Sequence, residues 1–140
     1  MDKYDLNRFI EAQKVDFDVA IKELSQGRKY SHWMWYVFPQ IKGLGCSYMS
    51  DKYSIRNIDE AKEYLGHKIL GSRLIKCCNI ILNLENQAVS EIFTHPDNLK
   101  FHSSLTLFSN IDTKNSVFQK LLNKHFNGEL DSATKSMLNI

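Results

Sequence analysis

Apolar residues recur along most of this chain every three or four positions, the spacing of one face of a helix. The first such stripe, from Leu6 to Gln26, holds Leu6, Phe9, Ile10, Phe17, Ala20, Ile21 and Leu24. Asp5 is placed to cap that helix and Gly27 to end it. One polar residue, Gln13, interrupts the stripe between Ile10 and Phe17. A buried amide without partners costs roughly 1–3 kcal/mol, so Gln13 must find some.

Ser31 to Phe38 is apolar around its whole circumference through Trp33, Met34, Trp35, Tyr36, Val37 and Phe38. A helix of that kind is buried, and Pro39 ends it. A short buried strand is the alternative, since aromatics and Val suit strands. Helix is preferred because no partner strand is evident elsewhere. A glycine-bearing turn, Lys42 to Ser47, leads into a short helix from Tyr48 to Tyr53. Asp59 caps another, which ends at Gly66.

The second long helix runs from Ile69 to Leu84, with Leu70, Leu74, Cys77, Ile81 and Leu84 as its seam. Asn86 or Gln87 starts a short helix carrying Val89, Ile92 and Phe93. Pro96 suits the first position of the next helix, on which Phe101, Leu105 and Phe108 share a face. Asp112 or Asn115 opens a helix closed by Gly128, and Asp131 caps a last one reaching about Leu138. The expectation is a single all-α domain over residues 1–140, with about seven to nine helices and short connections.

Composition narrows the class. The 140 residues are 43% hydrophobic and 24% charged, a globular mixture that excludes disorder. A net charge of +2 is too small to imply nucleic acid or an acidic membrane. No apolar run approaches the roughly 20 residues that span a bilayer. The opening residues lack a basic segment followed by an apolar one. Cys46, Cys77 and Cys78 are odd in number. The adjacent pair diverges by about 100° on a helix, so reduced thiols and a cytoplasmic setting are expected.

Four features carry candidate chemistry. In the aromatic block, His32, Trp35 and Gln40 can wall a pocket for a planar ligand, against the simpler reading that both tryptophans are core. The turn with Lys42, Gly43, Gly45 and Ser47 can gather backbone N–H groups around an anion, or be only a turn. Asp97, Lys100, Ser103 and Ser104 lie within two helical turns of one another. They read as a hydrogen-bonding cluster lining a pocket rather than a Ser–Lys nucleophile, the competing view being serines bonded to the preceding turn. Gln13 and Arg73 are polar residues on or beside apolar seams. Arg73 there either snorkels to water, the commoner case, or pairs with an anion.

The histidines show no metal-ligand spacing, so no metal is expected, and nothing calls for a cofactor. Arg28-Lys29-Tyr30 before the aromatics superficially suggests single-stranded nucleic acid. The core needs those aromatics, which argues against it.

Together, Gly27-Arg28-Lys29, Ser31-His32-Trp33-Met34-Trp35 and Phe38-Pro39-Gln40 resemble the signature of the bacterial family known as domain of unknown function 1810. Arg8-Phe9, Ala12-Gln13, Gly43-Leu44-Gly45 with Ser47, and Glu60-Ala61 with Tyr64-Leu65 extend it. Leu70-Gly71, Arg73-Leu74, Ile92-Phe93, Pro96-Asp97, Lys100, Ser103-Ser104 and Thr106-Leu107-Phe108 complete it over nearly the whole chain. The label calpastatin, sometimes attached to that family, finds no support in these residues. The resemblance implies an all-helical single domain and supplies no catalytic residues. Two departures stand out. Thr94 and His95 follow Ile-Phe where a glycine is expected, which bears on a pocket rim. Leu105 replaces Met after the serine pair, which conserves volume.

The leading functional expectation is a domain that binds, or also hydrolyses, a small anionic, nucleotide-like or ADP-ribose-like ligand in an aromatic, cation-ended pocket. Were it an N-glycosidase, Asp97 or Glu11 would be first choice to stabilise an oxocarbenium-like centre. The alternative is a non-catalytic protein- or peptide-interaction module. Monomer and homodimer are both compatible with the sequence. His32, Trp35, Gln40, Arg73, Lys100 and Ser104 are expected to converge.

Overall fold

Nine helices form among residues 1–114 and 116–140, the residues that the computed structural model describes. They are α1 (Asn7–Ser25), α2 (Met34–Val37), α3 (Tyr48–Lys52), α4 (Ile58–Gly66) and α5 (Leu70–Leu82). α6 (Val89–Ile92), α7 (Asp97–Ser109), α8 (Val117–Phe126) and α9 (Ser132–Leu138) follow. The one extended pairing among these residues is a parallel bridge between Ile41 and Ile55. The aromatic block forms the short helix α2, as the lack of a partner strand implied.

Helix ends depart from expectation where a better acceptor lies nearby. Asp5 does not cap α1. It takes a left-handed conformation (φ 52°), and Asp2 accepts from Leu6 N at 2.7 Å and Asn7 N at 2.9 Å. Those N–H groups, Asn7's first, hold the Asp2 carboxyl below its ordinary value. Asn57, not Asp59, caps α4 by accepting from Glu60 N. Ser116 caps α8, so Asp112 does not open it, and Asn115 lies outside the described residues. Asp131 caps α9 as expected, accepting from Thr134 N at 3.0 Å.

α7 is the central element, packed against α4, α6, α8 and α9. Its residues from Ser103 to Ser109 are all buried. On a helix covered all round, hydroxyls can bond back to the preceding turn. Thr106 donates to His102 O and Ser109 to Thr106 O. Phe101 joins Phe38, Phe93 and Trp33 in an edge-and-tilt cluster, with the Phe93–Phe101 centroids 4.7 Å apart. α4 and α5 cross closely at Gly71, where an added Cβ would lie 1.9 Å from Leu65 O.

Two buried carboxylates tie the connections down. Glu60 is fully buried and receives Arg8 at 2.8 Å. The rest of the Arg8 guanidinium donates to the carbonyls of Tyr4, Asp5, Lys52 and Ser54. Glu23, on α1, accepts from Tyr30 N, Ser31 N, Ser31 Oγ and Trp33 Nε1. It thereby fixes the segment leading into α2.

Candidate functional site

The segment pinned by Glu23 delivers the site. Trp33 is buried and spends its indole N–H on Glu23. Trp35, two positions on, is only half-buried. Lys29 is anchored by its backbone N–H on Ile92 O at 2.9 Å. Its ammonium lies 2.8 Å from Asp97 Oδ2 and 5.2 Å from the Trp33 ring centroid. Asp97 begins α7, a position that favours negative charge. Lys100 is three residues further, so both face the same side. The Lys100 ammonium sits 3.9 Å from Asp97 Oδ1 and 5.2 Å from the Trp35 ring centroid.

Two ammonium groups therefore share one carboxylate, each beside one indole, leaving one uncompensated positive charge. The two lysines differ in access. The Lys29 side chain is 7% exposed and closes a tight pair. The Lys100 side chain is 23% exposed, and 3.9 Å exceeds the roughly 2.7–3.2 Å of a hydrogen bond. Its donors remain available to a ligand.

A cavity of about 210 Å³ is lined by Gln40, Leu44, Leu99, Ser103, Asp131 and Ala133, Leu99 being the chain neighbour of Lys100. Ser103 lies one turn beyond Lys100 on α7, and Gln40 five residues beyond Trp35. The cavity thus draws on the two segments that carry the lysine pair and on a third, at the start of α9. Ser103 Oγ is 2.7 Å from Thr134 Oγ1, which itself donates to Asp131 at 2.6 Å. Ser104 Oγ is buried without a partner. Thr94 O accepts from Asp97 N. Thr94 and His95, where the family resemblance led to the expectation of a glycine, are exposed just before α7.

The sequence-derived residues fall into separate groups. Trp35, Asp97 and Lys100 meet, and Gln40 and Ser103 line the cavity. Gln13 and Arg73 form another group. Gln13 donates to Tyr36 O at 2.7 Å and to Tyr64 OH at 3.1 Å, and Arg73 reaches Gln13 Oε1 at 3.4 Å. The Arg73 guanidinium lies over the Phe17 ring, 4.8 Å from its centroid. His32 is exposed, and Glu11 is exposed on α1.

In the glycine turn, Ser47 caps α3, accepting from Ser50 N. Gly43 has φ +103°, and an added Cβ would meet Met137 at 2.3 Å. At Gly45 an added Cβ would lie 2.5 Å from Ser50. Both glycines are thus explained by turn geometry and packing. Lys42 is exposed and lines a different cavity, with Arg8 and Arg56.

Sequence reasoning weighed Lys29 only as part of a nucleic-acid reading, and placed neither it nor the Thr134–Asp131 pair at the site. Lys29 was legible as a cation flanking the aromatic block, but its carboxylate partner is 68 positions away in the chain. Nothing local signals Thr134.

Fold and site define a small all-α domain with a two-lysine, one-carboxylate corner against paired indoles. The chain belongs to the family described as protein of unknown function (DUF1810), which it matches over residues 3–138. A similar solved structure is the conserved hypothetical protein Rv1873 from Mycobacterium tuberculosis, a crystal structure at 1.38 Å. It is 41% identical, covers 99% of both chains and superposes with a TM-score of 0.97. Among curated proteins none matches. No helix of the described residues is long and apolar enough to cross a membrane.

Proposed function

We propose that the protein binds a small anionic, nucleotide-like or ADP-ribose-like ligand at the corner formed by Trp35 and Lys100. The observation that carries this reading is the surplus positive charge of the Lys29–Asp97–Lys100 cluster, accessible at Lys100. The anion pairs with the Lys100 ammonium, a planar group lies along the accessible part of the Trp35 ring, and Gln40 and Ser103 offer polar contacts from the cavity. At about 210 Å³ that cavity takes one moiety of such a ligand, the rest lying along the surface.

The alternative, a non-catalytic protein- or peptide-interaction module, rests on the abundance of aromatics: Trp33, Tyr36 and Phe38 are buried, whereas Trp35 is half-buried and Tyr30 and Tyr48 are exposed. A cytoplasmic setting accords with three cysteines free of disulfides.

The test is a thermal-shift series with nucleotides, NAD and ADP-ribose. A ligand at 100 times its Kd adds roughly 2.7 kcal/mol, a midpoint shift of several degrees for a domain of this size. The shift is expected with the parent and absent with Lys100→Ala. Equal shifts for parent and variant, or none with any ligand, overturn the reading. Hydrolysis is read separately, as release of free base or sugar from any ligand that binds.

A further inference from the structure

A second cluster of cations lies away from the Trp35 corner, and it surrounds a cavity of about 330 Å³. The Ile41–Ile55 bridge builds it. Lys42 N donates to Ile55 O at 2.7 Å and Ile55 N to Gln40 O at 2.8 Å. That pairing sets Lys42 alongside Arg56, and the first turn of α1 closes the floor with Arg8.

The cations have unequal roles. Arg8 has all five N–H donors occupied by four carbonyls and Glu60. Its charge is matched by that buried carboxylate, so it shapes the floor and has no donor left for a ligand. Lys42 is exposed and has no ion pair or hydrogen bond through its side chain among the described residues. Arg56 is half-exposed, and its Nε is 3.8 Å from Glu60, beyond hydrogen-bond range. The Lys52 ammonium rests on the Tyr48 and Tyr53 rings at 5.9 and 5.3 Å and keeps its donors. Three cations with unused donors thus ring one cavity.

Two carboxylates, Asp5 and Asp51, line the same cavity. Among the described residues neither forms an ion pair with the cations facing it. Opposite charges that line one hollow without pairing suit a ligand with two kinds of group. One end must be anionic, to collect charge-assisted hydrogen bonds from Lys42, Lys52 and Arg56. The other must donate hydrogen bonds without being an anion, to meet Asp5 and Asp51. A volume near 330 Å³ lies at the small end of ligand pockets, roughly 300–1,000 Å³.

We propose that this cavity is a binding site for the phosphate monoester of a small polyol, the phosphate between Lys42, Lys52 and Arg56 and the hydroxyls donating to Asp51 or Asp5. It is independent of the Trp35 corner.

The experiment is a titration of the 15N-labelled protein with ribose 5-phosphate and, separately, inorganic phosphate, at constant ionic strength. Saturable shifts are expected for the amides of Lys42, Gly43, Ile55 and Arg56. Lys42→Ala and Arg56→Ala remove exposed side chains, so both variants should fold. Each should weaken the ribose 5-phosphate response of these amides roughly tenfold or more, while Lys100→Ala leaves the response at these amides unchanged. Asp51→Asn should weaken ribose 5-phosphate but not inorganic phosphate. No saturable shift at these amides, or parent-like binding by both alanine variants, overturns the site. Tighter binding of both ligands by Asp51→Asn overturns the polyol assignment.

Discussion

The protein holds its charges in two ways. At Glu23 and Glu60, buried carboxylates are surrounded by donors from backbone, indole and guanidinium, with little capacity left over. At Asp97 the ratio is reversed: two ammonium groups compete for one carboxylate, and the outer one, Lys100, is only loosely paired. A saturated network orders the chain and offers nothing to a ligand. An unsaturated one, half-open to water, keeps a charge and its donors in reserve. Gln13 with Arg73 belongs with the first kind, since the amide nitrogen is consumed by Tyr36 and Tyr64.

That contrast sets a ranking of stability effects. Arg8→Ala should be the most damaging, because it strips a buried carboxylate of its main partner and removes a donor from the part-buried carbonyls of Tyr4 and Ser54. Losing one partner of a buried pair costs about 3–5 kcal/mol, to be read from the urea midpoint. Gly71→Ala comes next, near the upper end of the roughly 1–3 kcal/mol of overpacking, since the clash is with the Leu65 carbonyl rather than a mobile side chain. Glu23→Gln retains an acceptor oxygen for part of the network and should cost about 1–2 kcal/mol.

Glu23 also makes a prediction about pH. Burial by itself would raise its pKa, but hydrogen bonds from Ser31, Tyr30 and Trp33 outweigh this and hold it below its ordinary 4.5. A group lowered on folding contributes stability above its unfolded pKa and loses it as pH falls through the folded one. Urea midpoints should therefore drop as pH falls below 4.5, and the drop should be smaller in Glu23→Gln. An identical pH profile in the variant would remove Glu23 from the saturated class.

Periodicity was enough to reveal the helices. Leu70, Leu74, Cys77 and Ile81 mark the seam of α5, and all four are buried. Caps were less legible, because Asp2 and Asp5, or Asn57 and Asp59, are equally good acceptors on paper. Backbone conformation decides between them. The site was half legible. Asp97 and Lys100 share a helix face by spacing alone, and Trp35 stood out by composition. Lys29 needed Glu23 to fold its segment back onto α6 and α7, a tertiary effect with no local signature. Arg73 was grouped with Lys100 by charge, but its place beside Phe17 depends on how α1 and α5 pack.

Lys100→Ala gives the smallest stability effect and the sharpest test of the contrast. The lysine contributes a loose, part-exposed ion pair and one cation–π contact over the half-buried Trp35 ring. Such pairs are worth about 0–1 kcal/mol, and a cation–π contact near the surface about 0.5–1. Removing Lys100 also relieves its repulsion with the Lys29 ammonium, since both face Asp97. The net change in the urea midpoint should therefore correspond to less than about 1 kcal/mol. Lys29→Ala, which removes the buried member of the cluster, should cost more than Lys100→Ala in the same assay. If Lys100→Ala instead destabilises as much as Arg8→Ala, the corner is a structural network like the one around Glu60. The surplus charge would then belong to the fold rather than to a ligand.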